Sequence, residues 1–426
     1  MYRENHRGFK FDWLTIILYL ALVLFGYINI VSASHDGDIT SWFDMSQRFG
    51  KQAVFICVSI TLIIIILSLE SRFYERFASI IYLFSLLTLV GLFLFGKNIN
   101  GATSWYGIGG MTLQPSEFAK AATALAVSKY ISDLQTDMKS IKDQIKALAI
   151  IVVPSILILL QNDAGSTLVY GAFFFVFYRE GIQQVYLISL TALITIAILA
   201  LKFGLLVTAG ILILFALIYL FRKRKRRPPI LRTIALIVLG VGIAVGVRFF
   251  YTSILKPHQQ DRISLWLRLE KDPEKLRQMK QTILYNLNES EKAISSGGLT
   301  GKGFMEGTRT TGKFVPEQDT DYIFSTVGEE WGFLGSAFVV ICFVILIVRI
   351  LYLAEIQKSQ FSRVYGYSVA SIFFVHFLIN TGMVMGLIPT VGIPLPFFSY
   401  GGSSLMGFTI LLFIFVKLDS NKINEW

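Results

Sequence analysis

Apolar runs long enough to cross a bilayer recur along this chain from end to end. "FLGSAFVVICFVILIVRILYL", residues 333–353, is one of them. About 20 consecutive apolar residues span the hydrocarbon core as a helix, and lipid offers no partner to an open backbone N–H or C=O. Repetition of such runs restricts the chain to a set of membrane-spanning helices. A barrel needs short strands of alternating polarity, and none is visible. Composition agrees: of 426 residues, 54% are hydrophobic and 16% charged, against about a quarter charged in soluble domains. The expected fold class is an all-α polytopic membrane protein. Candidate spans centre on 14–31, 53–69, 77–95, 116–130, 147–160, 166–178, 185–201, 205–221, 234–247, 334–353, 367–387 and 405–416. Several are short, so the expectation is about ten to twelve transmembrane helices.

The first run has no small-residue cleavage site after it, and reads as a retained span. Cys57 and Cys342 lie inside apolar runs without metal-ligand spacing, as packing residues do. The net charge of +11 is not a nucleic-acid footprint, because much of it sits in short loops and reports orientation. "RKRKRRPP", 222–229, is the strongest such signal. Counting spans from it places both termini in the cytoplasm. Three outer loops result, 96–115, 251–333 and 389–403, the second being one large extracytoplasmic loop within a single domain, 1–426.

The outer side gathers the chemistry. Glu117 and Lys120, in "QPSEFAK", sit three apart on one helix face and can pair. Ionisable residues at membrane depth usually face a cavity or pathway, though a structural ion pair is the plainer alternative. Asp163, in "QNDAGS", stands at a tight turn and suits an N-cap of the next helix. From Lys256 the chain mixes Ile263, Trp266, Leu267 and Leu269 with Arg262, Arg268 and Lys271. That reads as a basic amphipathic helix on the membrane surface, an anchor or a ligand for lipid phosphates. Lys302 follows within a glycine-rich stretch, 293–314, that lacks nucleotide P-loop spacing.

Five carboxylates then cluster in "KFVPEQDTDYIFSTVGEEWG", 313–332. Glu317 and Asp319 read as solvated loop acids. Asp321 precedes an apolar step, where desolvation raises a carboxylate toward general-base range. Glu329 and Glu330 read as the start of the next helix, where acid complements the macrodipole. EF-hand spacing is absent, and the four histidines are too scattered for a zinc site. Three prolines and repeated glycines in 380–404 break a span, which is tolerated in protein or around a cavity.

Together "GATSWYGIGGMTLQPSEFAK", "QNDAGS", "QQDRIS", "AISSGGLTGKG", "TDYIFSTVGEEWG" and "NTGMVMGLIPTVGIPLPFFSYGGSS" resemble the SEDS family (shape, elongation, division and sporulation), whose members include RodA and FtsW. The resemblance spans nearly the whole chain and is nearest RodA. It implies an inverting peptidoglycan glycosyltransferase of the bacterial cytoplasmic membrane that polymerises lipid II on the outer face. It places the essential aspartate at Asp321, and substrate-binding roles at Glu117, Lys120, Asp163, Arg262, Lys302, Ser399 and Ser403. It also implies a class B penicillin-binding protein as partner, with lipid II, undecaprenyl pyrophosphate and membrane lipids as ligands. Departures are Ser104 where the family often has Arg, "QNDAG" for Gln-Pro-Asp-Leu-Gly, Glu289 where Gln is expected, and two spans inserted between 182 and 230.

On this expectation Asp321 takes the proton of an acceptor 4-hydroxyl, and Arg262, Lys302 or Lys120 meets the leaving pyrophosphate. A divalent cation, Mg²⁺ or Mn²⁺, is an optional aid, for which the residues specify no site. The rival readings are a lipid II flippase or other carrier, an FtsW-type division polymerase, and a scaffold for a transpeptidase. A carrier predicts a midplane site and an internal repeat, whereas the acids here lie outside and no repeat is visible.

Overall fold

A computed structural model of the chain describes residues 11–35, 44–99, 101–109, 111–223, 230–255, 257–270, 272, 274 and 285–422. Most of the basic 222–229 stretch and Lys271 lie outside the described residues. Nine described helices are long and apolar enough to cross a membrane. All twelve expected centres fall on helical segments.

The chain divides into two compact units. The first holds residues 1–182, 289–385 and 391–426. Its helices are α1 (Trp13–Ser34), α2 (Arg48–Ser68), α3 (Ser71–Phe95), α4 (Pro115–Ile131), α5 (Ile141–Leu160), α6 (Ala164–Val169) and α7 (Phe173–Arg179). The second unit, residues 183–288 and 386–390, holds α8 (Gln184–Arg222), α9 (Ile230–Phe249) and α10 (Pro257–Trp266). The first unit resumes at Glu289, within α11 (Tyr285–Ser296), and continues with α12 (Thr308–Thr311), α13 (Ile323–Glu330), α14 (Gly332–Glu355), α15 (Gln360–Val384) and α16 (Gly402–Asn421).

Burial sorts the helices of the first unit. In their most apolar windows α15 and α16 are each 83% buried, whereas α2 and α3 are 28% and 22% buried. The last two therefore turn most of their apolar surface outward, as lipid-facing helices do. Phe361, Tyr365, Phe373, Phe408, Phe413 and Phe415 fill the centre with almost no exposure. Beside them packs α4, which begins on Pro115 and carries Glu117 in its first turn and Lys129 in its last, in keeping with the dipole. Buried Ala119, Ala121, Ala122, Ala124 and Ala126 keep α4 slim, and slim helices allow close backbone approach. Asp12 caps α1 at Thr15 N (3.0 Å) and pairs with Arg349 of α14 (2.6 Å).

The 96–115 loop is not irregular. It forms a three-stranded antiparallel sheet, β1 (Lys97–Ile99), β2 (Ala102–Ile108) and β3 (Met111–Leu113). The register pairs Lys97 with Trp105 and Tyr106 with Leu113. Tyr106 Oη anchors it to Thr88 O (2.8 Å), and Thr103 N donates to Gln161 O (3.0 Å). Ser104, the departure noted above, is buried.

In the second unit, α8 breaks at Gly204 (φ 82°, ψ 171°) into two helical stretches within the segment expected to hold inserted spans. Ile196, Ala200 and Ala244 form its small core. The expected amphipathic helix is described over Pro257–Trp266. There Trp266 Nε1 donates to Leu387 O and Arg262 Nη1 to Thr390 O, both at 3.0 Å.

Candidate active site

Asp321 sits between the Asp319–Thr320 turn and α13, partly exposed. Three successive carbonyls there are each held by a different donor. Tyr400 N reaches Asp319 O (2.8 Å), Ser399 Oγ reaches Thr320 O (2.7 Å), and Asn380 Nδ2 reaches Asp321 O (2.8 Å). The backbone is thus fixed while, among the described residues, no donor meets the Asp321 carboxylate. Its pKa is pushed up to about 7, first by burial and then by the negative charges of Glu317, Asp163 and Asp319. A carboxylate with that value is half-ionised near neutrality and can accept a proton from a sugar hydroxyl. Gly392 comes so close that a Cβ there would lie 3.2 Å from Asp321 Oδ2, and its φ of +79° favours glycine.

Asp319, Glu329 and Glu330 do not behave as solvated or helix-start acids. Asp319 is buried and takes Arg48 Nη1 on both oxygens, at 2.7 and 2.8 Å. The guanidinium, which also faces the Tyr400 ring, replaces the water that a loop acid would have. A cleft of about 360 Å³ opens beside the pair, lined by Ser34, Ser46, Arg48, Lys313 and Asp319 among others. Glu317 is half-buried and accepts from Thr320 Oγ1 (3.0 Å). Glu329 and Glu330 end α13 rather than begin α14, because the apolar step "YIFS" starts a helix of its own. At a C-terminus the macrodipole opposes acid, so other donors must compensate.

Glu329 accepts from Lys302 Nζ (2.6 Å), Arg309 N (3.0 Å), Thr310 N (2.8 Å) and Thr310 Oγ1 (2.8 Å). Burial raises its pKa, but these donors, Lys302 foremost, outweigh that and hold it below the ordinary value. Among the described residues, Glu330 Oε1 accepts from the Ser32 hydroxyl while Oε2 has no hydrogen-bond partner. Burial lifts it to about 7, and the charge of Glu329 adds to the rise.

The remaining expected residues are largely occupied by the protein. Lys120, 2% exposed, donates to Glu117 Oε1 and Oε2 (both 2.8 Å) and to His376 Nε2 (3.0 Å). Those three bonds use every donor an ammonium has, so the pair lies behind the site rather than at a surface. Asp163 is the N-cap of α6, accepting from Ser166 N (2.9 Å), and also receives Gln114 Nε2 (2.9 Å). Ser399 and Ser403 are buried; Ser403 Oγ accepts from Gln114 N (2.9 Å). Lys302 keeps about a quarter of its side chain exposed while bound to Glu329 and Thr308. Glu289, where glutamine was expected, is buried and paired with Arg309 and Lys292, which neutralises it. Arg262 belongs to the second unit, where its head group is exposed. Sequence reasoning missed His376, Asn380 and Arg48. A histidine and an asparagine four apart inside an apolar run were the available signal for the first two.

Among the described residues no three His, Cys, Asp or Glu side chains are placed to hold a metal ion together.

Comparison with known proteins gives a consistent result. The family profile FTSW_RODA_SPOVE, described as "Cell cycle protein", matches residues 12–209 and 206–424. A peptidoglycan glycosyltransferase RodA of Treponema pallidum is 30% identical, covering 97% of this chain and 98% of its own. The peptidoglycan glycosyltransferase MrdB of Escherichia coli K12 is 29% identical over 94% and 92%. A chain from a solved peptidoglycan synthase complex, described as coordinating polymerization and crosslinking, superimposes with a TM-score of 0.68. It is 22% identical and covers 98% of this chain and 100% of that one.

Proposed function

This chain belongs to the FtsW/RodA/SpoVE family of cell cycle proteins, and from that membership we propose that Asp321 is the general base of a lipid II polymerase. The chain is a peptidoglycan glycosyltransferase of the RodA type, an integral membrane enzyme of cell-wall elongation. The observation that carries the residue assignment is the state of Asp321: backbone held at three carbonyls, carboxylate without a donor among the described residues, and pKa near 7.

In the proposed step the 4-hydroxyl of an acceptor GlcNAc gives its proton to Asp321. Its oxygen forms the bond to the anomeric carbon of a lipid-linked MurNAc, from the face opposite the leaving group. The bond from that carbon to the pyrophosphate breaks, and undecaprenyl pyrophosphate departs with the electron pair. General-base help of this kind contributes about 10²–10⁴-fold. Lys302, the expected cation of the first unit that keeps exposure, is the proposed phosphate ligand. Any Mg²⁺ or Mn²⁺ requirement then enters with the pyrophosphate, and is read by repeating the assay in EDTA.

The proposed setting is the bacterial cytoplasmic membrane with both termini inside and Asp321 outside. A class B penicillin-binding protein is the proposed partner, in keeping with the synthase complex that the fold resembles. The test is purified protein, with that partner, given lipid II in detergent. Asp321→Asn is expected to lower polymer formation by about 10²-fold or more. Polymer at the wild-type rate would overturn the assignment, and lipid II translocation without polymer would favour a carrier.

A further inference from the structure

Helix α15 carries two polar side chains one turn apart on a single face, His376 and Asn380, both fully buried. They hold adjacent carbonyls of the proline-rich loop. His376 Nδ1 lies 3.1 Å from Pro394 O, and Asn380 Nδ2 lies 2.8 Å from Ile393 O. Asn380 also holds Asp321 O (2.8 Å). On its other side, His376 Nε2 meets Lys120 Nζ at 3.0 Å.

The donor roles follow from chemistry. An ammonium can only donate, so Nε2 accepts. Nδ1 therefore carries the proton and donates to Pro394 O. The imidazole is neutral and held at both nitrogens. Phe408 shields the junction, with its ring centroid 4.8 Å from Lys120 Nζ and edge-to-face with His376 at 4.7 Å. A polar path thus runs from the Glu117–Lys120 ion pair through His376 to the 393–400 loop. That loop in turn supplies Ser399 and Tyr400, which hold the carbonyls of Thr320 and Asp319.

We propose that His376 is a positioning residue for Asp321. It uses the buried Glu117–Lys120 pair as a fixed post and sets the height of the proline-rich loop, whose other end fixes the catalytic backbone. The proposal rests on the assignment of Asp321 as base. Loss of the imidazole frees one ammonium donor and one carbonyl in a dry interior. The loop then relaxes, and the carboxylate moves relative to the acceptor hydroxyl. Displacement on the ångström scale costs up to about 10²-fold in rate. Lys302, the proposed phosphate ligand, makes none of these contacts, so binding of the lipid-linked substrate is expected to be unaffected.

The experiment is a comparison of His376→Leu, His376→Gln and Asp321→Asn as purified full-length proteins in complex with the transpeptidase partner. The readouts are kcat and KM for lipid II and thermal melting. His376→Leu is expected to lower kcat roughly 10- to 100-fold with KM within about twofold. His376→Gln, whose amide can accept from Lys120 and donate to Pro394, is expected to recover most of the loss. A folded His376→Leu enzyme with wild-type kcat overturns the proposal, as does a glutamine variant as slow as the leucine one. Asp321→Asn separates the two ideas. If it is active, the base assignment fails; if it is inactive while His376→Leu is normal, only the positioning role fails.

Discussion

Glu329 and Glu330 are neighbours, both buried, and respond to pH in opposite senses. The pKa of Glu329 is held down by Lys302 and the α12 amides. It therefore stabilises the fold above its unfolded value, near 4.5, and the contribution disappears as pH falls through the lower folded value. Glu329→Gln is expected to cost about 2–3 kcal/mol at pH 7, the deficit closing in acid. Glu330 is raised from 4.5 to about 7, so its contribution is full below pH 4.5 and is lost as pH rises through 7. Glu330→Gln should gain melting temperature relative to wild type between those values. Equal pH profiles for the two variants in a thermal-shift series would contradict both assignments. For Asp321, the rate should fall about tenfold per pH unit below pH 7, since only the carboxylate accepts a proton. The sequence separated Asp321 from its neighbours because an apolar step follows it. It could not show that Arg48, 271 residues away, would bury Asp319, or that "IFSTVGEE" is a helix with its acids at the wrong end for the dipole.

At the scale of elements, the glycine-rich stretch is a backbone clasp. Lys302 N donates to Glu329 O (3.1 Å), Gly303 N to Glu330 O (3.0 Å), Phe333 N to Gly298 O (2.9 Å) and Leu334 N to Leu299 O (3.1 Å). This pairing joins the C-terminus of α13 and the N-terminus of α14 to the turn-rich segment between α11 and α12. Gly301 has φ +82°, and a Cβ there would collide with the Glu330 carbonyl. Gly301→Ala is expected to destabilise by roughly 1–3 kcal/mol or more from strain alone, measured as a drop in melting temperature and folded yield. A neutral substitution would mean that the clasp does not hold. The need for tight geometry was legible in the glycines. The partner of the clasp was not, because backbone pairing leaves no side-chain pattern. The small sheet at 97–113 escaped for a related reason: its strands are three to seven residues long and lack sustained alternation.

At the scale of the whole molecule, every span centre expected from hydropathy falls on a helical segment, because lipid-facing residues must be apolar along their length. Orientation is testable directly. In a background with Cys57 and Cys342 replaced, Ser295→Cys should react with an impermeant maleimide in intact cells. Lys358→Cys, in the turn between α14 and α15, should react only after permeabilisation. Both residues are exposed. The reverse pattern would invert the proposed placement of Asp321.

The helix α4 is only 17 residues long and carries Glu117, Lys120 and Lys129. A charged side chain at the centre of a span disfavours transfer into lipid by about 2.5–3.5 kcal/mol. Its cover is supplied by α3 and α5 nearby, and by α15 and α16, which begin more than 240 residues later. His376, the partner that completes the coordination of Lys120, is among the last quarter of residues to be synthesised. The ribosome therefore delivers the most polar span long before the helices that make it tolerable. Order of synthesis thus works against this span: alone in lipid, α4 would lack the His376 contact that satisfies Lys120 until the C-terminal helices are made.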